Sequence, residues 1–496
     1  MSSNEFDEKR VGDINVTEVG ENSSDSINNI SEEIIIDKEL ERRYTRILDF
    51  KLLPFLSFMY FFNSMDRSNL SNAFSDGFTK DMNFTGNQYS LILLFFYIPN
   101  AFLDLPWNIA TKKYSGKYIL PTLMLCWGAL TMIQAGCVNF AGMMVCRLLV
   151  ACFEAGFYAG VIFYLTLFYT RNEIALRVSL FFGSALISAA FTGLLAYGVF
   201  QIKGSLHGWQ YLFIIEGGAT VLMSLVGYWW LPKTPSTCRW LSPELKEVGR
   251  LRLLKNSSNK VDTKFNWGEI KEAVHQWQWW VYAVISFTYT LPWTTSSLFL
   301  TQIIGRFGYS VVKTNLWTVA PNCVGACVLL ATSFSSDHFK ERTYHVCFAL
   351  TLSIIALIIL ASVDSVKHIG VSYFACFLLC SGAYIPSALV HSWHNNNHLS
   401  ESVRAFNTGV FVGLGNLSPI IVTATFRTEY APNYNPTIIA TCISAGICWM
   451  LTMAFGTWQK RENARRNKEQ GVELYAGNVN TSELSGFSDP RWRFFT

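Results

Sequence analysis

The sequence predicts an all-α polytopic membrane protein with 12 transmembrane helices in two six-helix halves. Three observations lead there: little charge, its uneven placement, and the spacing of apolar runs. Asp, Glu, Lys and Arg make up 15 % of the 496 residues, where soluble domains average about 25 %. Residues 1–51, 232–278 and 458–496 hold 46 of these charges, and the other 359 residues share 28. A water-exposed surface of that size would carry far more charge.

A bilayer core of about 30 Å takes roughly 20 apolar residues per helix. Such runs lie near 52–73, 89–109, 118–137, 141–168, 175–200 and 209–231, and again near 278–301, 314–334, 343–362, 369–390, 403–425 and 436–457. The fourth is long enough to kink. The chain therefore divides into a disordered cytoplasmic N-tail (1–50), an N-terminal six-helix bundle (51–231), a cytoplasmic central loop (232–277), a C-terminal six-helix bundle (278–457) and a cytoplasmic C-tail (458–496). With both termini inside, the inner segments carry 31 Lys and Arg against six in the outer loops, which orients the protein. The Trp pairs at 229–230 and 279–280 flank the central loop and read as interfacial anchors.

Other classes fall away. The net charge of +4 leaves no basic stripe for nucleic acid. The 12 cysteines form no CxxC pair and sit mostly in apolar runs, as small hydrophobes. No nucleophile–base or metal constellation suggests an enzyme.

Two loops resemble each other across the halves. WNIATKKYSGKY and SFSSDHFKERTY align at an offset of 227, which places Lys113 on Lys340 and Arg177 on Arg404. Duplicated six-helix halves with a central site are the build of alternating-access transporters.

Ionisable residues inside a membrane are costly and therefore informative. The first run contains Asn63-Ser64-Met65-Asp66-Arg67, the second Asn100 and Asp104, the fourth Arg147 and Glu154, and the sixth Glu216. Arg147 and Glu154, seven residues apart, project from one helix face about 10 Å apart. Arg67 keeps its charge and offers a planar fork suited to a carboxylate. A carboxyl at this depth holds or loses its proton according to what else occupies the site. A fixed cation beside titratable acids is the least equipment for moving an anion with protons. The plainer reading is buried ion pairs that fix helix packing. Asp104, near the inner face, can serve as a local cap, and Glu216 reads equally well as structural. Tyr89, Tyr289, Asn322, Ser387, His391, Asn407 and Asn416 are further polar candidates for a cavity. His391, His394 and His398 lack a fourth ligand nearby, so no metal site is expected.

The segment MDRSNLSNA, the stretch CRLLVACFEAGFYAGVIFYLTLFY and the opening GWQYLFIIEG resemble the fungal allantoate permease family, the anion:cation symporter branch of the major facilitator superfamily. The likeness runs from about residue 45 to 460, and SDPRWRFFT resembles a common family tail. The resemblance implies the major facilitator superfamily fold and proton-coupled symport of a small organic anion. Family members carry allantoate, ureidosuccinate, nicotinate, pantothenate, biotin and sulfur-containing anions. It also implies that Arg67 contacts the substrate carboxylate, that Asp66 and Glu154 take up protons, and that Arg147 neutralises an acid or helps to hold the anion. Asn63, Tyr289 and Asn407 complete the expected substrate-binding set, and Lys113, Asp337 and Arg342 the gating loops. Two departures stand out. WNIATKKYSGKY lacks the usual acidic residue, although Asp337 and Arg342 are present in its counterpart. After the tenth run, Trp393, Asn396, Asn397 and Arg404 fit the family, but Val403 occupies a lysine position.

The expectation is a monomeric plasma-membrane importer, driven by the proton gradient with no bound cofactor. An internal membrane such as vacuole or ER, a sulfur-containing anion as cargo, and a non-transporting nutrient sensor are the alternatives.

Overall fold

The computed structural model describes residues 37–496, apart from 76, 86–87, 171–172, 257–265, 306, 308–310, 365–366, 426–433, 477–478 and 480–488. It begins with helix α1 (Lys38–Lys51), capped by Asp37, whose Oδ1 accepts the Glu39 N–H at 2.8 Å. The expectation of disorder over 1–50 is corrected for this part. Tyr44 and Leu48, one turn apart, are fully buried, and that apolar face docks the helix. Residues 1–36 lie outside the described residues.

Six helical passages follow: α2 (Leu53–Ser75), then after the short α3 (Phe78–Asp81) come α4 (Gln88–Tyr114), α5 (Gly116–Gln134), the broken pair α6 (Phe140–Glu154) and α7 (Phe157–Leu165), α8 (Ile174–Val199) and α9 (Gly208–Trp230). The linker folds into α10 (Pro243–Asn256) and α11 (Trp267–His275). Six more passages complete the chain: α12 (Trp277–Gly305), α13 (Val311–Phe339), α14 (Thr343–Ser362), α15 (Ile369–Ala383) with α16 (Ile385–Asn396), α17 (Glu401–Gly415) with α18 (Ser418–Thr425), and α19 (Asn435–Gln470). Among the described residues, nine stretches are long and apolar enough to cross a membrane on composition alone. Passage α2 falls short because Asn63, Asp66, Arg67 and Asn69 interrupt it.

Small residues set the closest crossings, as expected where van der Waals contact drives helix association. A Cβ on Gly217 of α9 would lie 2.8 Å from the Gly128 carbonyl oxygen of α5, and one on Gly382 of α15 would lie 2.3 Å from the Ala349 oxygen of α14. The same device joins the halves. Gly409 and Gly413 of α17 face α4 so closely that an added Cβ would meet Leu105 Cα at 2.8 Å and the Ala101 oxygen at 2.4 Å. One turn earlier, the Ala405 oxygen accepts from Asn108 Nδ2 at 2.6 Å.

Among the described residues, twelve passages carry the chain back to the face where α1 lies. There Arg252 of α10 bridges Glu41 (2.8 Å) and Glu173 (2.7 Å), tying linker, α1 and the entry to α8 together. Residues 489–496 dock on the same face. Asn463 of α19 pairs with both backbone groups of Phe494, at 2.8 and 2.9 Å, and Asn397 pairs likewise with Phe495, at 2.9 and 2.8 Å. Each side-chain amide thus replaces a strand neighbour, and Trp492, Phe494 and Phe495 are buried. The Trp279 anchor expectation is corrected too. Trp280 and Trp229 are exposed, but Trp279 turns inward and donates to Asn407 Oδ1 at 2.7 Å.

Candidate functional site

The site is built on helix breaks. Gly156 separates α6 from α7 at φ +76°, and a Cβ there would stand 2.3 Å from Trp107 Cβ. A break at membrane depth strands backbone groups that must find partners. Helix α4 supplies them: Asp104 Oδ1 accepts the Gly156 N–H at 2.7 Å, and Trp107 Nε1 donates to the Cys152 carbonyl at 2.7 Å. Passage eleven breaks at Asn416 and Leu417, ahead of Pro419, and Asn416 Nδ2 donates to the other Asp104 oxygen at 2.6 Å. One aspartate therefore links the breaks of both halves. The local-cap reading of Asp104 was correct in kind, although one of its partners comes from the opposite half.

The α6 break leaves Glu154 at the end of its helix, fully buried, where Oε1 accepts from Arg67 Nε. This ion pair opens on a cavity of about 50 Å³ between the halves, room for a few waters. Tyr60, Tyr158 and Phe182 wall it on one side, and Tyr289, Trp293 and His391 on the other; Ser387 and Asn416 also face it. Tyr289 and His391 are among the cavity residues expected from the sequence; Tyr60, Tyr158, Phe182 and Trp293 are not, because in the sequence they look like ordinary apolar spacing.

The remaining expected residues scatter. Asp66 does not join Arg67, because neighbours on a helix point about 100° apart. Its Oδ2 accepts from Trp127 Nε1 of α5 (3.0 Å) and Thr220 Oγ1 of α9 (2.9 Å), in a buried niche away from the cavity. Glu216 lies one turn before Thr220, wholly buried, with neither oxygen hydrogen-bonded. Arg147 is buried with its guanidinium 4.5 Å from the Phe96 ring centroid, and Arg67 lies 5.9 Å from the same ring. Such stacking stabilises a desolvated cation. Asn63 is buried outside the cavity lining, and Asn407 is tied to Trp279. Tyr289 lines the cavity and bonds His391 Nε2 at 2.9 Å. Asn322 accepts from Tyr384 at 2.7 Å. The Tyr89 side chain lies outside the described residues.

The loops close one end. Asp337 Oδ1 pairs with Arg342 at 2.6 Å, while Oδ2 accepts the Leu176 N–H of α8 at 2.8 Å. Lys112 reaches Ser402 at the start of α17, and Ser179 bonds Ser333 across α8 and α13. Lys113 and its repeat partner Lys340 are both exposed, so Lys112 is the lysine at the seam. All these ties lie at the face where α1 and residues 489–496 dock. Among the described residues, no group of three His, Cys, Asp or Glu is arranged for a metal ion.

The pattern of the Major Facilitator Superfamily matches residues 56–423. The chain belongs to that superfamily. It is 48 % identical over 471 residues, 93 % of this chain and 94 % of the relative, to the major facilitator-type transporter hxnP of Emericella nidulans. It is 31 % identical over 397 residues, 80 % of this chain and 73 % of the relative, to the high-affinity nicotinic acid transporter of Saccharomyces cerevisiae. Among solved structures, the proton:xylose symporter XylE superposes with TM-score 0.61 at 12 % identity, covering 82 % of this chain and 96 % of that one. The E. coli fucose:proton symporter FucP gives 0.58 at 15 %, covering 82 % and 98 %. These two likenesses establish the fold. The protein is a secondary transporter of the superfamily.

Proposed function

We propose that this transporter imports a small organic carboxylate together with protons, as a member of the allantoate permease branch. The observation that carries the reading is the Arg67–Glu154 pair at a cavity shared by the two halves. An entering carboxylate competes with Glu154 for the planar guanidinium. Glu154, losing its counter-charge in a buried site, is stabilised by taking a proton. Anion and proton thus enter the same site in a linked step. The proton also offsets the membrane potential, which opposes anion entry by about 2.3 kcal/mol per charge per 100 mV. Asp66, held by Trp127 and Thr220, is a second protonation site in this scheme. Arg147, stacked on Phe96, keeps the niche electropositive.

The Lys and Arg bias puts both termini in the cytoplasm. The Asp337–Leu176, Lys112–Ser402 and Ser179–Ser333 contacts then form a closed cytoplasmic gate, and rocking of the halves would open it. The nicotinic acid transporter relative favours an aromatic or vitamin-like carboxylate, which the ring-lined walls would suit. The proposed setting is the plasma membrane, with the protein acting as a monomer.

The test is uptake of labelled nicotinate, allantoate, ureidosuccinate, pantothenate, biotin and a sulfonate into cells lacking their own permeases, at pH 5 and pH 7.5, beside Arg67→Ala. Faster entry of one carboxylate at pH 5, abolished by Arg67→Ala, is the expected result. Entry of the sulfonate alone would reassign the cargo. No entry of any anion by surface-expressed protein would sink the proposal.

A further inference from the structure

Of the three histidines 391, 394 and 398, the sequence offers only His391 as a cavity residue, and the first two have a defined arrangement here. Tyr289 OH lies 2.9 Å from His391 Nε2, and His391 Nδ1 lies 3.1 Å from His394 Nε2. His391 and His394 share one face of α16, three residues apart. Both are essentially without solvent exposure, and His394 Nδ1 is buried with no hydrogen-bond partner. A neutral imidazole donates from one nitrogen and accepts at the other, so a proton can be handed along the file. It starts at the cavity, which Tyr289 and His391 line, and ends one turn nearer the cytoplasmic end of α16.

We propose that Tyr289, His391 and His394 form a proton-exit file leading from the cavity through the second half towards the cytoplasm. The inference rests on the symport reading above. A proton released by Glu154 crosses cavity water and binds the Tyr289 oxygen. The proton already on that oxygen passes to His391 Nε2, the one on His391 Nδ1 passes to His394 Nε2, and the one on His394 Nδ1 leaves to water. Each group gains one proton and loses one, and rotation of the groups resets the file. In the present conformation the file is a dead end, because His394 is sealed beneath Phe411 of α17, ring centroids 5.0 Å apart. Helix α17 also forms the glycine seam with α4, so opening that seam would admit water to Nδ1. The charged and titratable groups around the file are few. Tyr158 of α7 faces His391, Tyr60 and Cys448 of α19 lie near Tyr289, and Arg67, Glu154 and Asp104 share the cavity. Tyr282 of α12 and His398 flank His394.

The experiment uses full-length protein in liposomes filled with a pH-sensitive dye, with labelled nicotinate and the other anions of the panel as probes. Two quantities are read: exchange at equal pH on both sides, and gradient-driven uptake with internal acidification. His394→Gln and His394→Phe are expected to lower gradient-driven uptake and acidification at least tenfold while exchange falls less than threefold. A purely structural role would lower both together, and that result overturns the file. Full acidification in both variants overturns it as well. If the wild type exchanges an anion without acidification, proton coupling fails and the file with it. If it exchanges none of the anions, the organic-anion reading fails first, in the wild type, before any variant is compared.

Discussion

Asp337, near the end of α13, caps the first turn of α8 in the opposite half by accepting the Leu176 N–H at 2.8 Å. The first N–H groups of a helix have no partner of their own, and Glu173 at the N-cap position of α8 makes no side-chain capping bond. The contact between α13 and α8 is therefore held by a helix terminus that needs a partner, and Arg342 fixes the carboxylate that provides it.

Removing this cap should loosen the proposed gate. Loss of a capping side chain costs about 1 kcal/mol, roughly a fivefold shift in a two-state population. Asp337→Ala should therefore raise the alkylation rate of a cysteine placed at Ser333 about fivefold, read from the cytoplasmic side in inverted vesicles. An unchanged rate would show that Asp337 does not hold the seam.

The Arg67–Glu154 pair predicts a stability pattern as well as a transport one. Stranding a buried carboxylate by removing its partner costs about 3–5 kcal/mol. Arg67→Ala should melt well below wild type, and Arg67→Ala/Glu154→Gln should recover most of the loss without recovering uptake. Arg67→Lys should also fail in uptake, because an ammonium lacks the planar fork. Melting curves beside uptake separate these outcomes.

At the α4–α17 seam, Gly413→Ala would press a methyl group against the Ala101 carbonyl. Uptake should fall at least tenfold and cytoplasmic accessibility should rise. Gly446→Ala in α19 meets nothing within 4 Å and should be neutral or stabilising by up to about 1 kcal/mol. Equal behaviour of the two variants would deny the seam any special role.

The two asparagines that read the backbone of residues 494 and 495 are open to a direct test. Asn463→Asp removes the donor to the Phe494 carbonyl and sets a second acceptor against it. An unsatisfied buried polar group costs about 1–3 kcal/mol, so detergent-solubilised protein should melt several degrees lower. Lys468→Ala on the same helix serves as the control.

The twelve passages were legible because an apolar run of membrane length is a one-dimensional signal. The sequence reading placed the opening of the ninth at 343 and of the tenth at 369, where α14 and α15 begin. The partners of the charges were not legible. Asp66 and Arg67 are adjacent in the chain, yet they serve two different surfaces, and only packing against α5, α6 and α9 decides which. Arg67 and Glu154 were both singled out, but 87 residues separate them and nothing local says that they touch. Asn407 looked like a cavity residue because it is polar in an apolar run; a buried indole N–H needing an acceptor explains it equally well. The amphipathic face of α1 could have been read, since Tyr44, Leu48 and Leu52 recur at helical spacing. The docking of 489–496 could not, because its contacts are made through backbone atoms that every sequence shares.

That docked segment has a consequence for biogenesis. Its cleft is formed by Trp393, Asn397, Trp458 and Asn463, all of which leave the ribosome before residue 489 does. A chain halted after α19 would display an uncovered aromatic cleft on the face that carries α1. The cleft can therefore be covered only after every helix that forms it has been made.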